Sequence, residues 1–170
     1  MSRTSARPGH PSPDGDRSLL TPDDIIDRLA ALDDNLHVEG YYSERSLFYN
    51  PGHVAPLGVI FASLKDHDGP NDKSSKLSRP GVFRFAFQMP PEHYHDYFGP
   101  PPPRPPKSGV VAYDFDPAQT GRVLPHPVYA WMRWVQVLCP TEYTFHELQP
   151  ALEESLETVR AKWTRRSVAR

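Results

Sequence analysis

The segment Leu124-Pro125-His126-Pro127-Val128-Tyr129-Ala130-Trp131 holds the most constrained imidazole of the chain. Prolines on both sides restrict His126 to extended backbone and lower the entropy cost of fixing its ring. A fixed imidazole that titrates near neutral pH suits ligand binding or proton transfer. Tyr129 and Trp131 add a hydroxyl and an indole N–H. The same residues also suit a rigid connector that covers a sheet edge, each with its polar atom satisfied. Arg84 and Gln88 supply the second half of a candidate site. From Val82 to Met89 the chain alternates, with Phe83, Phe85 and Phe87 on one face and Arg84 and Gln88 on the other. A guanidinium so placed meets solvent, pairs with a carboxylate or lines a cavity. Arg84, Gln88, His126, Tyr129 and Trp131 are therefore the candidate ligand-binding residues. No complete catalytic constellation is visible among them. An enzyme reading gives His126 the role of acid or base, Arg84 that of anion clamp and Tyr129 that of hydrogen-bond donor, and it requires His126 and Arg84 to converge.

Other motifs fail on their spacing. Asp66-His67-Asp68-Gly69-Pro70-Asn71-Asp72 begins like a calcium loop, but Gly comes too early and Leu77 stands where a bidentate Glu must close the site, so a solvated turn is expected. His146-Glu147 begins like a zinc-protease helix, yet the second histidine position is Pro150. His93 and His95, two apart in a predicted helix, point to different faces. Cys139 ends an apolar strand and reads as a small buried hydrophobe. No Walker loop, dinucleotide-binding glycine pattern or nucleophile elbow occurs. Neither a metal nor a cofactor is expected.

These residues need a scaffold, and its elements follow from patterning. Thr21-Pro22-Asp23-Asp24 has the cap, proline and acidic first turn of a helix start, with Ile25, Ile26, Leu29 and Leu32 on one face. Three strands are expected over Leu36–Tyr42, Ser46–Tyr49 and Val59–Lys65, then Val82–Met89 after a polar loop from Asp66 to Arg79. Pro90-Pro91 starts a short helix to Phe98, and the run Pro100 to Pro106 is either a stiff polyproline spacer or a ligand for a proline-binding groove. Val110–Phe115 is expected as a strand, a turn or short helix around Asp116 to Leu124, and Trp134–Cys139 as the last strand. The final helix opens on a Thr144 and Glu147 capping box and carries Leu148, Leu152, Leu156, Val159 and Trp163 at helical spacing. The order predicts an α+β fold, an antiparallel sheet with the N-terminal and C-terminal helices packed on one face. Residues 1–18, poor in large apolar side chains, read as a disordered tail; residues 19–166 read as a single domain and 167–170 as a basic end.

Composition sets the outer limits. The 19 basic and 21 acidic residues give a net charge of −2, with no global footprint for phosphate-backbone binding. Nucleic acid is not expected as a partner, although Arg160, Lys162, Arg165, Arg166 and Arg170 crowd the last helix. A lone cysteine and the lack of a long apolar run predict a cytoplasmic protein with no membrane span. The 21 prolines cap the amount of regular structure.

The stretches Arg79-Pro80-Gly81-Val82-Phe83-Arg84, Leu124-Pro125-His126-Pro127-Val128-Tyr129 and Trp134-Val135-Gln136-Val137-Leu138, with Phe48-Tyr49-Asn50-Pro51 and Phe98-Gly99, resemble an uncharacterised family of small bacterial proteins. That family is known only as a domain of unknown function and is frequent in actinobacteria. From Trp134 to Trp163 the chain also resembles, more distantly, the YjbR-like group, compact α+β domains of which some are suggested to bind DNA. The resemblances imply a fold and no activity. Three functions stay open: a noncatalytic domain that binds a small molecule or partner, a cofactor-independent enzyme on a small polar or anionic substrate, and a weak nucleic-acid binder.

Overall fold

Helix α1 (Pro22–Ala30) starts where the sequence places it. The Asp24 amide donates to Thr21 Oγ1 (3.1 Å) while the Thr21 amide donates to Asp24 Oδ2 (2.8 Å), a reciprocal cap that satisfies two otherwise orphaned donors. The chain then forms β1 (Leu36–Tyr41), β2 (Glu44–Tyr49), a 3-10 turn (Pro51–His53), β3 (Val59–Lys65), β4 (Arg84–Gln88), α2 (Pro91–Phe98), β5 (Val123–Pro125), a second 3-10 turn (Ala130–Met132), β6 (Trp134–Leu138) and α3 (Glu142–Val168). This computed structural model describes residues 16–41 and 43–169. The expected tail lies outside the described residues as far as residue 15. Its last three residues do not hang free: Asp16 and Ser18 accept backbone hydrogen bonds from Tyr143 and Glu142, and Leu19 bridges to Thr141. Two of the amides left unpaired at the start of α3 are satisfied in this way.

The six strands form one antiparallel sheet in the order β1-β2-β3-β4-β6-β5. With α1 and α3 packed on one face, the α+β architecture agrees with the expectation. On that face lie Leu47, Leu64, Phe85, Phe87, Val135 and Val137, buried against Ile25 and Leu29 of α1 and Leu148, Leu152 and Leu156 of α3. Helix α2 lies alongside α3, where His93 Nε2 meets Glu154 Oε2 at 2.7 Å. A register shift where Leu47 and Phe48 face β3 leaves Phe61 without a ladder partner. Such a bulge puts two successive residues on one side, so Phe61 and Ala62 both enter the core while Ile60 and Ser63 stay on the other face. Gly58 leads into β3 at φ +97°, and a Cβ there would come within 2.3 Å of the Tyr49 carbonyl oxygen. Only glycine lets the turn pass so close to β2.

Three expectations are corrected. Val110–Phe115 is not a strand; β6 pairs instead with Val123–Pro125, which overlaps the end of the stretch read as a turn or short helix, and Val111 makes one backbone bond to Pro127 (2.8 Å). The free edge of β6 is short, and once Val123–Pro125 fills it the earlier segment has no ladder to join. Pro125 is tolerated because β5 is the edge strand. Helix α3 begins a turn earlier than its apparent capping box, because Thr141, released by Pro140, accepts from the Thr144 amide (3.2 Å) and is the true cap. Helical conformation then runs unbroken through Pro150. Finally, the polar loop from Asp66 to Arg79 is solvated at the expected turn, where Asp66, His67, Pro70 and Asn71 are exposed, but not beyond it. Ser75 and Leu77 in it are fully buried on the sheet face opposite the helices, and Ser75 Oγ donates to Gln136 Oε1 (2.9 Å).

Candidate functional site

The face of the sheet turned away from α1 and α3 is only partly covered by that loop. What remains open is a cleft of about 690 Å³, within the usual range for small-molecule sites. It runs along the strands. At one end lie Glu44, Lys65, Asp72 and Arg84; at the other lie Phe48, Ile60 and Trp134, with Lys162 and Arg166 from the last turns of α3. Along β4 the two ends are separated by the four steps from Arg84 to Gln88, about 13 Å of strand. His126 and Tyr129 close the cleft from the β5 side.

Of the five sequence candidates, Arg84, Gln88, His126 and Tyr129 line this cleft. Trp131 does not: its ring lies under the Arg104 guanidinium, 4.6 Å from Cζ to centroid. That cation–π contact ties Arg104 of the proline run to the domain.

Arg84 is only 4 % exposed and is already paired. Its Nη1 and Nη2 donate to the two carboxylate oxygens of Asp72 at 2.9 and 2.5 Å, and Lys65 Nζ donates to Asp72 Oδ2 at 3.3 Å. Burial raises the Asp72 carboxyl, but the hydrogen bonds and charge of Arg84, with help from Lys65, outweigh it and hold the group well below the usual carboxylate range. The guanidinium is therefore not an open anion clamp. Its Nε–H is buried and has no partner among the described residues, at a cost of about 1–3 kcal/mol.

Gln88 is likewise engaged. Its Nε2 donates to the Met132 carbonyl (2.8 Å) and its Oε1 accepts from Lys162 Nζ (3.0 Å), so it fixes the position of Lys162 relative to the segment before β6.

His126 is 2 % exposed, and its Nδ1 accepts from the amides of Val128 (3.1 Å) and Tyr129 (3.3 Å). This settles the tautomer: the proton of the neutral ring sits on Nε2, which has no hydrogen-bond partner among the described residues. Burial, then the positive charges of Arg84 and Lys65, push its pKa well below 6.5, with Asp72 opposing. His126 and Arg84 do share the cleft, but near neutral pH the imidazole is a hydrogen-bond donor with no free basic nitrogen.

Below about pH 6.5 the unfolded chain protonates His126 while the folded chain does not, so stability falls as pH drops, by up to about 1.4 kcal/mol per pH unit until the folded-state pKa is reached. His126→Asn keeps an acceptor where Nδ1 stands and removes the titration. Urea melts of the wild type and this variant between about pH 7 and pH 5 are expected to show a shallower loss in the variant. Parallel curves would contradict a buried neutral His126.

Sequence reasoning missed Asp72, Lys65, Lys162 and Arg166. Asp72 sits in a loop whose composition suggested a turn. Lys162 and Arg166 are four residues apart and so share a helix face, a signal that was legible but could not show what that face meets. Of the basic residues of α3, Arg160 is spent on Asp33, with Nε at 2.9 Å and Nη2 at 2.6 Å from Oδ2. Among the described residues no carboxylate lies within ion-pair reach of Lys162 or Arg166. Burial, then Arg133, Arg166 and Arg165, lower the pKa of Lys162.

No described helix is long and apolar enough to cross a membrane. No match to this chain is found among curated proteins or among solved structures. A model described as "Family of unknown function (DUF6194)" matches residues 20–168, which takes in all six strands, all three helices and every cleft-lining residue, and the chain belongs to that family.

Proposed function

We propose that this chain is a noncatalytic binding domain for a small molecule with anionic or strongly polar oxygens, seated in the cleft on the open face of the sheet. The reading rests on His126. A buried imidazole with Nδ1 occupied by two backbone amides offers Nε2–H to a ligand oxygen, and burial keeps the ring neutral near neutral pH. General acid–base work needs a group whose pKa lies near the working pH, and neither His126 nor the strongly acidic Asp72 meets that need. Arg84, spent on Asp72, shapes the floor rather than gripping a substrate. Tyr129, half-exposed with its ring 5.1 Å from that of His126, adds a hydroxyl at the rim. A cytoplasmic setting, in keeping with the single cysteine, belongs to the same reading. Nucleic acid is not part of it, since the chain carries net charge −2 and Arg160 is neutralised by Asp33.

Thermal-shift screening of the full chain against a library of polar metabolites, followed by native mass spectrometry, is the test. The expected result is a ligand that raises the melting temperature, is recovered chemically unchanged, and loses about tenfold or more in affinity to His126→Asn. A library that produces no shift and no bound mass sinks the proposal, and so does any ligand that is turned over.

A further inference from the structure

The two ends of the cleft differ in charge balance, and that difference assigns the polarity of the ligand. At the Arg84 end two cations face two carboxylates: Asp72 accepts from Arg84 twice and from Lys65 once, and Glu44 stands opposite Lys65 in the ladder. An anion arriving there would meet Asp72 and would have to displace it. At the α3 end the balance is open. Lys162 has only a neutral acceptor, Gln88 Oε1, and Arg166 has no ion-pair partner among the described residues. Two cations held one helical turn apart repel each other, and Arg133 and Arg165 add to the field on Lys162. A dianion relieves this. The same end of the cleft is lined by apolar and aromatic side chains: Phe48 is paired across strands with Ile60, and Trp134 with Gln88, the residue that positions Lys162.

We infer that the α3 end of the cleft is a phosphate subsite, in which Lys162 and Arg166 take the phosphate of a phosphomonoester whose flat aromatic body lies against Trp134. This rests on the binding reading above and adds to it the class and direction of the ligand. A phosphomonoester carries about −1.5 to −2 charge at pH 7, which matches the two uncompensated cations, whereas a carboxylate would leave one of them unpaired. His126 stands beside Trp134, its amide donating to the Trp134 carbonyl (3.0 Å), and its Nε2–H supplies a hydrogen bond to a polar atom of the aromatic body.

The probes are phenyl phosphate, inorganic phosphate and phenol, titrated into the full chain by calorimetry, with the Trp134 indole followed by NMR. Phenyl phosphate is expected to shift the Trp134 resonance and to bind about tenfold more tightly than either half alone. Arg166→Gln, at an exposed position, is expected to weaken it several-fold, and the Lys162→Gln/Arg166→Gln pair by about tenfold or more, with circular dichroism unchanged. The inference is overturned if phenyl phosphate fails to bind up to about 10 mM, if Arg166→Gln leaves its affinity unchanged, or if phenol binds as well. It is also overturned if a single-stranded oligonucleotide binds more tightly than phenyl phosphate with a steep salt dependence, for then the cations serve a nucleic-acid backbone. A polar metabolite that still binds in any of the first three cases leaves the small-molecule reading standing and removes only the phosphate subsite.

Discussion

Leu152→Ala or Leu156→Ala is expected to lower stability by about 2–5 kcal/mol, while Glu153→Ala and Glu157→Ala in the same helix each change it by less than about 0.5 kcal/mol. Leu152 and Leu156 are 1 % and 3 % exposed, in the middle of the stripe that α3 lays across the sheet. Truncating either removes methyl groups from contact with β3 and β4 and leaves a cavity that the closely packed strands cannot collapse to fill. Glu153 and Glu157 face solvent. Glu157 pairs with Arg160, but at the surface such a pair contributes little, and Arg160 keeps Asp33. Since a domain of this size has only about 5–15 kcal/mol of net stability, either leucine change removes a large part of it. Denaturant melts of the four variants measure the contrast. Equal effects from leucine and glutamate changes would mean that α3 buries a different face.

Asp72→Ala is expected to cost about 3–5 kcal/mol, more than its place in a polar loop suggests, because it strands a charged guanidinium in the middle of the sheet. Arg84 lies on β4 with strands on both sides and is only 4 % exposed, so without Asp72 its charge stays largely shielded from water at the end of the cleft. Lys65, left without its acceptor, adds repulsion. The double change Asp72→Ala/Arg84→Met removes the stranded charge along with its partner and is expected to recover most of the loss, because a buried ion pair is often replaceable by apolar side chains. Urea melts at neutral pH suffice. A cost for Asp72→Ala below about 1 kcal/mol would show that Arg84 finds water or another partner, and the compensated end of the cleft would then be open to anions after all.

Arg84 shows where the two levels of information part. Its alternation with Phe83, Phe85 and Phe87 correctly places it on the face opposite the core. That face reads as polar from residue types alone, and it is polar, yet it is also buried, because a loop from 12 residues upstream folds over it. Nothing in the local pattern of Asp66 to Arg79 says so. Turn-forming residues look the same whether the turn faces water or carries a buried serine and leucine.

The sequence by itself determined most of the elements and the faces they bury. Thr21-Pro22-Asp23-Asp24 set the start of α1, the leucine spacing set the buried stripe of α3, and the separated motifs around Arg84, His126 and Trp134 set the family. These are short-range properties: caps act within one turn, and amphipathic period is written in consecutive residues. The tertiary structure alone decided which strand fills the edge of β6, since β5 and the rejected segment Val110–Phe115 compete for one short ladder. It also decided that Asp72 rather than a ligand occupies Arg84, that Trp131 serves Arg104 and not the cleft, and that Lys162 and Arg166 line one cleft with Phe48 and Trp134. Each of these joins residues distant in sequence, through burial and charge pairing that depend on position in space. Periodicity carries no record of such a meeting, and the charge balance that gives the cleft its direction exists only once the chain has closed around it.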